Sequence, residues 1–244
     1  HWLVTEKVDG TNIRVSLEPW TGGSWGDGPQ TVAGYCLRFY GRTDKAQIPA
    51  FLLQHLQDTF TVEKMALLWR GKQNCDLCGG AGRVTSEYTT LSACSCVEPY
   101  PITLYGEGYG ARIQKGGGNY RPDSVSFRLF DVVVESIPLK PTASLPIAHH
   151  WLEWKNVCAI AEKLGIKTVP VMACAAELPE ITRNVRDGRA SQVAKDDRDD
   201  QFLVVPAEGI VARTDPYLYD SRGRPVRFKL KAKDYAQKKE ETNA

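Results

Sequence analysis

The segment Glu6-Lys7-Val8-Asp9-Gly10-Thr11-Asn12 puts a lysine at the end of an apolar, strand-like run and follows it with a carboxylate, a glycine turn and an amide. Residues 2–18 alternate in polarity on both sides of that turn, the period-two pattern of half-buried β-strands. Outward from it, a Gly-rich stretch, Thr21 to Pro29, leads into a second β-rich run, Val32 to Tyr40. From Pro49 to about Trp69, Leu52, Leu53, Leu56, Phe60, Met65, Leu68 and Trp69 recur at helical spacing behind a proline, which predicts one core-facing helix. β character returns at Ile102 to Gly106 and at Val125 to Glu135. Trp151, Trp154, Val157, Cys158, Ala161 and Leu164 share one side of a helix expected over His149 to Leu164 and stopped near Gly165. The polar run Arg183 to Gln201 reads as a charged, partly mobile connection. Two more β runs follow, Gly209 to Arg213 and Val226 to Leu230.

The 244 residues, 42% of them hydrophobic, suit one large domain or one domain with a small insert, with enough core to fold without disulfides. With 31 basic and 29 acidic residues the net charge is +2, which neither requires nor excludes nucleic acid. Distribution says more, because Arg222, Arg224, Arg227, Lys229, Lys231, Lys233, Lys238 and Lys239 gather near the C-terminus; a solvated charged tail is the alternative reading. No apolar run approaches the roughly 20 residues that span a bilayer, and no signal pattern opens the chain. A soluble, cytoplasmic monomer is therefore expected. The chain begins at His1, so some native sequence before it is expected to be missing.

Alone, the lysine turn is an ordinary surface turn. Its company changes the reading: FYGRTDK carries Arg42, LYGEGYG carries Glu107, SFRLFDVVV carries Phe130 and Asp131, AEGIVAR carries Glu208, and RFKLKAK carries Lys229 and Lys231. A lysine amine is protonated in neutral water, so its use as a nucleophile calls for desolvation and neighbouring positive charge. Lys229 and Lys231, two apart on a β run, face the same way and supply such charge. Taken singly they would be a solvated face, Phe130 a core aromatic and Glu107 a turn carboxylate. Taken in order, the set resembles the covalent nucleotidyltransferases, which include polynucleotide ligases and mRNA capping enzymes. Within them it is most similar to the nick-sealing, ATP-dependent RNA ligases, from Lys7 to Lys231 outside a cysteine-rich segment.

That resemblance implies an α+β, ATP-grasp-like nucleotidyltransferase fold with antiparallel sheets flanking a nucleotide cleft. Its parts would be 1–70 and 100–235, with 71–99 a small zinc-binding insert and 236–244 a charged tail. By the same resemblance Lys7 attacks the α-phosphorus of ATP, forms lysyl-AMP and passes the AMP to a 5′-phosphate that a 3′-hydroxyl then seals. Lys229 and Lys231 hold the α-phosphate, and Glu208 engages magnesium (or manganese). Asn12 orients the α-phosphate or a metal-bound water, and Asp9 organises the lysine loop. Phe130 stacks on the purine, Glu107 accepts from the ribose hydroxyls, Arg42 contacts sugar or phosphate, and Glu6 reads the adenine edge. The implied partners are ATP and RNA ends or a nicked duplex. A GTP-dependent capping guanylyltransferase, a DNA ligase and a non-catalytic nucleotide-binding module are the alternatives. The shortness of the chain after Lys231 leaves no room for the OB domain of the first two, and the intact lysine set speaks against the third. With only residues 232–244 beyond the last motif, either a C-terminal domain is missing or the insert does part of its work.

In that insert, Cys75 and Cys78 form a CxxC pair, and Cys94 and Cys96 a CxC pair. Paired thiolates on two turns, one glycine-rich, suit a tetrahedral structural zinc; unpaired thiols and disulfides are the alternatives. So small a segment would draw its folding free energy from the metal. The insert is expected either to contact the nucleic-acid substrate, which Arg70, Lys72 and Arg83 nearby suggest, or to brace the nucleotide-binding domain. Cys36, Cys158 and Cys174 stand singly in apolar surroundings and read as core.

Overall fold

The alternating residues on the two sides of Asp9-Gly10 become strands of two different sheets. A computed structural model of the chain describes residues 1–22, 30–69, 76, 83–85, 91–93, 96, 99–136 and 148–235. In chain order the elements are β1 (Trp2–Lys7), β2 (Thr11–Pro19), β3 (Thr31–Val32), β4 (Tyr35–Tyr40), α1 (Ala50–Thr59), α2 (Val62–Ala66), β5 (Arg83–Thr85) and β6 (Leu91–Ala93). They continue with β7 (Ile102–Gly110), β8 (Val125–Ser136), β9 (Ala148–Trp151), α3 (Trp154–Leu164), β10 (Lys167–Thr168) and β11 (Val171–Ala176). The last are α4 (Leu178–Arg186), α5 (Gln192–Arg198), β12 (Gly209–Thr214) and β13 (Arg227–Lys231).

The first sheet is antiparallel in the order β11-β1-β12-β13. The second runs β10-β8-β7-β2-β4-β3, with β9 also on β8, and only the short β10–β8 pairing is parallel. β5 and β6 make a separate hairpin within the cysteine segment. Ile13, Val15 and Leu17 of β2, Ile102 and Leu104 of β7, and Phe127, Leu129 and Val132 of β8 send alternate side chains to one face of the second sheet. There they bury against Leu52 and Leu56 of α1 and Val157, Ala161 and Leu164 of α3. Val4, Ile210 and Ala212 of the first sheet pack against Ile181 and Val185 of α4. The fold is α+β with antiparallel sheets, as expected.

Three expectations change. The single helix over 49–69 is two, because the chain extends at Phe60 and Thr61. Phe60 drops into the core edge-on to Phe127, and the Thr61 hydroxyl accepts from the Lys64 amide to start α2. The helix over 149–164 starts only at Trp154: His149 and Trp151 lie in β9, opposite Glu135 and Val133. Its end at Gly165 is as read, with φ +60°. The charged run 183–201 is not a loose connection: it holds the last turn of α4 and all of α5. Cys75, Cys78 and Cys94 lie outside the described residues, as do Arg70, Lys72 and the tail 236–244; Cys96 is half-buried. Among the described residues no helix is long and apolar enough to cross a membrane.

Candidate active site

Strand register gathers the cations. Lys7 pairs with Gly209, and Gly209 with Lys231; one row away, Thr5 pairs with Val211, and Val211 with Lys229. Residues in register share a face, so Lys7, Lys229 and Lys231 project to one side of the first sheet. The middle of the Lys7 row is bare because a Cβ on Gly209 would come 2.0 Å from the Leu230 carbonyl oxygen. Glu208, just before β12, accepts hydrogen bonds from Lys7 Nζ and, at 2.8 Å, from Lys231 Nζ. Burial alone would raise the Glu208 pKa, but the bonds from Lys231 and Lys7 outweigh it and hold the carboxyl below its usual range. Lys231 is in turn held above the usual lysine value by its bond to Glu208.

The turn after Lys7 is seated on the second sheet. A Cβ on Gly10 would meet the Gly108 carbonyl oxygen at 2.5 Å and Glu107 Cγ at 2.7 Å, so only glycine allows this approach. Asn12 and Glu107 face each other across β2 and β7. Burial pushes the Glu107 carboxyl up to about 7; Lys7 pulls it down, while Glu208 and Asp9 push it further up, which places it beside the lysine site. The Asp9 amide donates to Tyr120 Oη at 3.1 Å. Asp9, Asn119, Tyr120, Glu208 and Lys233 line a cavity of about 250 Å³. Phe130 falls at a β-bulge: Leu129 pairs with Gly106 and Asp131 with Tyr105, so Phe130 has no partner of its own. It turns toward the cluster containing Val8, away from the core that holds Leu129 and Val132. Arg42 is exposed in the turn after β4 and is not brought against the lysines by any hydrogen bond or ion pair of the described residues.

Glu6 does not join this group. Adjacent strand residues point to opposite faces, so Glu6 leaves the sheet with Trp2 and Val4, away from Lys7. It is 1% exposed; its carboxylate accepts from Ser191 Oγ, from the Gln192 amide at 2.8 Å and from the Val193 amide at 3.2 Å. The side chain expected to read an adenine edge is engaged at the start of α5.

Sequence reasoning also missed two buried ion-pair networks. Asp131 accepts from Arg213 Nη1 at 2.7 Å, from Arg227 Nη1 at 2.8 Å and from Tyr217 Oη, joining β8 of one sheet to β12 and β13 of the other. Arg213 also stacks on Trp154, with its guanidinium carbon 4.5 Å from the ring centroid, and its buried Nη2 has no hydrogen-bond partner among the described residues. Arg128 donates to Asp197 at 2.9 Å and to Tyr109 Oη at 3.0 Å, fixing α5 to β8. Asp131 was visible in FDVVV, but its partners are remote in sequence and nothing local marks them.

Asp9, Glu107 and Glu208 offer the hard oxygen donors that suit a divalent cation bound to phosphates. Among the described residues, no group of three or more His, Cys, Asp or Glu side chains is close enough together to hold a metal by itself.

The fold and this lysine face fit a family of enzymes. The RNA ligase family model matches residues 1–231, and the chain belongs to that family. Among solved structures it is similar to Naegleria gruberi RNA ligase with pyrophosphate, at TM-score 0.49 and 16% identity, covering 98% of this chain and 52% of that one. A mutant of the same ligase with ATP and manganese gives TM-score 0.50 at 16% identity, over 97% of this chain and 51% of the other. A putative ATP-dependent DNA ligase from Aquifex aeolicus gives 0.42 at 15% identity, over 94% and 43%. At 16% identity the likeness to the structure with ATP and manganese is one of fold alone. The chain spans about half the length of the Naegleria ligase. A search of curated proteins finds no match.

Proposed function

We propose that this chain is the nucleotidyltransferase core of an ATP-dependent RNA ligase. The observation that carries the reading is the row Lys7-Gly209-Lys231 with Glu208 bridging its two ammonium groups. Lys7 Nζ loses one proton to water, forms a bond to the α-phosphorus of ATP while the bond from that phosphorus to the bridging oxygen breaks and pyrophosphate leaves, and the nitrogen then releases a second proton to water to become the phosphoramide N–H. Lys229 and Lys231 face the same space and balance the charge on the α-phosphate. The AMP then moves to a 5′-phosphate, and a 3′-hydroxyl displaces it to seal the strand. The attack needs a lone pair on Lys7 Nζ free to point at phosphorus, so Glu208 has to release Lys7 first. Magnesium or manganese, held by Glu208 with its carboxylate neighbours, would offset phosphate charge. Phe130 stacks on the purine, Glu107 accepts from the ribose, Asn12 and Asp9 shape the turn beside the phosphate, and Arg42 meets sugar or phosphate from its exposed turn. In the same proposal, residues 1–70 and 100–235 form the catalytic unit, and Cys75, Cys78, Cys94 and Cys96 hold a structural zinc in 71–99.

Incubation with magnesium and α-labelled ATP, followed by denaturing electrophoresis, tests this directly. Label retained from ATP and lost in Lys7→Ala is expected. Label from GTP instead would make the chain a capping-type enzyme, and no label from either would refute the mechanism. Metal analysis of the purified chain should find one zinc per molecule, lost on Cys75→Ser with Cys78→Ser; its absence from the parent chain would end the zinc proposal.

A further inference from the structure

β1 ends at Lys7 and β2 begins at Thr11, so residues 8–10 cross from one sheet to the other between the two strand ladders. The connection from β7 to β8 grips them as they cross. It lies so close that a Cβ on Gly116 would come 2.7 Å from Asp9 Oδ2. Gln114 Nε2 donates to the Gly10 carbonyl at 3.3 Å, and Tyr120 Oη accepts from the Asp9 amide at 3.1 Å. Tyr120 is 2% exposed, shares a buried cluster with Val8 and sits edge-on to Tyr109, ring centroids 5.7 Å apart. Burial holds its phenol above the usual tyrosine value, so the oxygen stays uncharged.

The Asp9 N–H and the Val8 carbonyl belong to one peptide group. Its N–H is bound to Tyr120, and its oxygen lies 3.5 Å from Lys7 Nζ. A peptide group is planar, so the two ends turn together. Rotation away from Tyr120 would swing the Val8 oxygen away from the lysine amine. We propose that Tyr120 is a positioning residue for Lys7: by anchoring the Val8–Asp9 peptide it fixes the carbonyl against which the lysine amine is aimed. This rests on the ligase reading above, because its consequence is felt in the adenylylation step. Once Glu208 has released Lys7, the Val8 carbonyl remains as an acceptor within the nucleophile's own turn. It takes one N–H of the amine and leaves the lone pair free to face phosphorus.

The test is single-turnover labelling with α-labelled ATP, reading rate constant, end-point and ATP dependence separately. Tyr120→Phe keeps the ring and loses only the hydroxyl; Tyr120→Leu loses both. Tyr120→Phe is expected to slow the saturated rate roughly ten- to hundredfold, the scale set by small misplacement of reacting groups, with half-saturating ATP changed less than about threefold. Its end-point should stay at the parent value. Tyr120→Leu should be at least as slow and should also melt at a lower temperature. Amide exchange followed by NMR should find the Asp9 N–H protected in the parent and exchanging about tenfold faster in Tyr120→Phe, the scale of one lost hydrogen bond. An unchanged rate in Tyr120→Phe overturns the proposal, because ring packing would then be the whole of its role. A rise in half-saturating ATP at full rate also overturns it, since the hydroxyl would then be a nucleotide contact. An unprotected Asp9 amide in the parent refutes it even if neither variant folds. If the parent chain takes no label, the ligase reading fails; faster Asp9 exchange in Tyr120→Phe then still supports the anchored turn, and unchanged exchange refutes it.

Discussion

Two carboxylates in this protein each bridge a pair of cations, and they have opposite uses. Glu208 joins Lys7 and Lys231, side chains that remain 19% and 28% exposed. Asp131 joins Arg213 and Arg227 from within the protein, itself 5% exposed, and adds Tyr217. Lysine presents a compact charge on a flexible stem, which water and phosphate can engage in turn; arginine presents a planar fork that locks onto a carboxylate. The Glu208 group lies within one sheet and can exchange partners. The Asp131 group ties the two sheets together and cannot open without exposing a buried charge. Equal charge arithmetic thus yields a reactive site in one place and a brace in the other, and burial makes the difference.

Substitutions can break that contrast. Lys7→Ala should lose AMP labelling by about three orders of magnitude or more, since no other group forms the bond, while urea unfolding shifts by less than about 1 kcal/mol. Asp131→Ala should do the reverse in kind, costing roughly 3–5 kcal/mol of stability by urea unfolding because two arginines are left unpaired, one of them buried. Lys231→Ala should fall between, slowing labelling by about ten- to a thousandfold with stability little changed. The smallest effect is on pH dependence. Glu107 in the folded chain keeps its proton up to about pH 7, against 4.5 for an ordinary glutamate, so the folded chain binds the extra proton between these values and stability declines as pH rises through them. Glu107→Gln should flatten that decline in thermal melts taken from pH 4.5 to 7.5; an unchanged slope would mean that Glu107 is not the group responsible.

Much of this was legible before any coordinates. Alternation around Asp9-Gly10 announced β1 and β2, and Lys229 and Lys231 were expected on one face because a strand repeats every two residues. The same rule, applied to Glu6 and Lys7, already implied that the two side chains leave opposite faces of the strand. α5 was not legible. It has only two buried apolar residues, Val193 and Ala194, and is stabilised by Glu6 and Arg128, both remote in sequence, so no local periodicity reveals it. Phe60 and Thr61 likewise broke a convincing helical pattern because Phe60 had a better place against Phe127 than on a continuous helix.

The sequence by itself determined the chemistry on offer: a lysine beside a glycine turn, two further lysines two residues apart, and carboxylates and an aromatic in a recognisable order. It could do so because strand period and turn preference act over a few residues. Which carboxylate meets which cation was decided only by the tertiary structure, since Lys7 and Glu208, or Asp131 and Arg213, come together through sheet register and burial that no short stretch of chain contains.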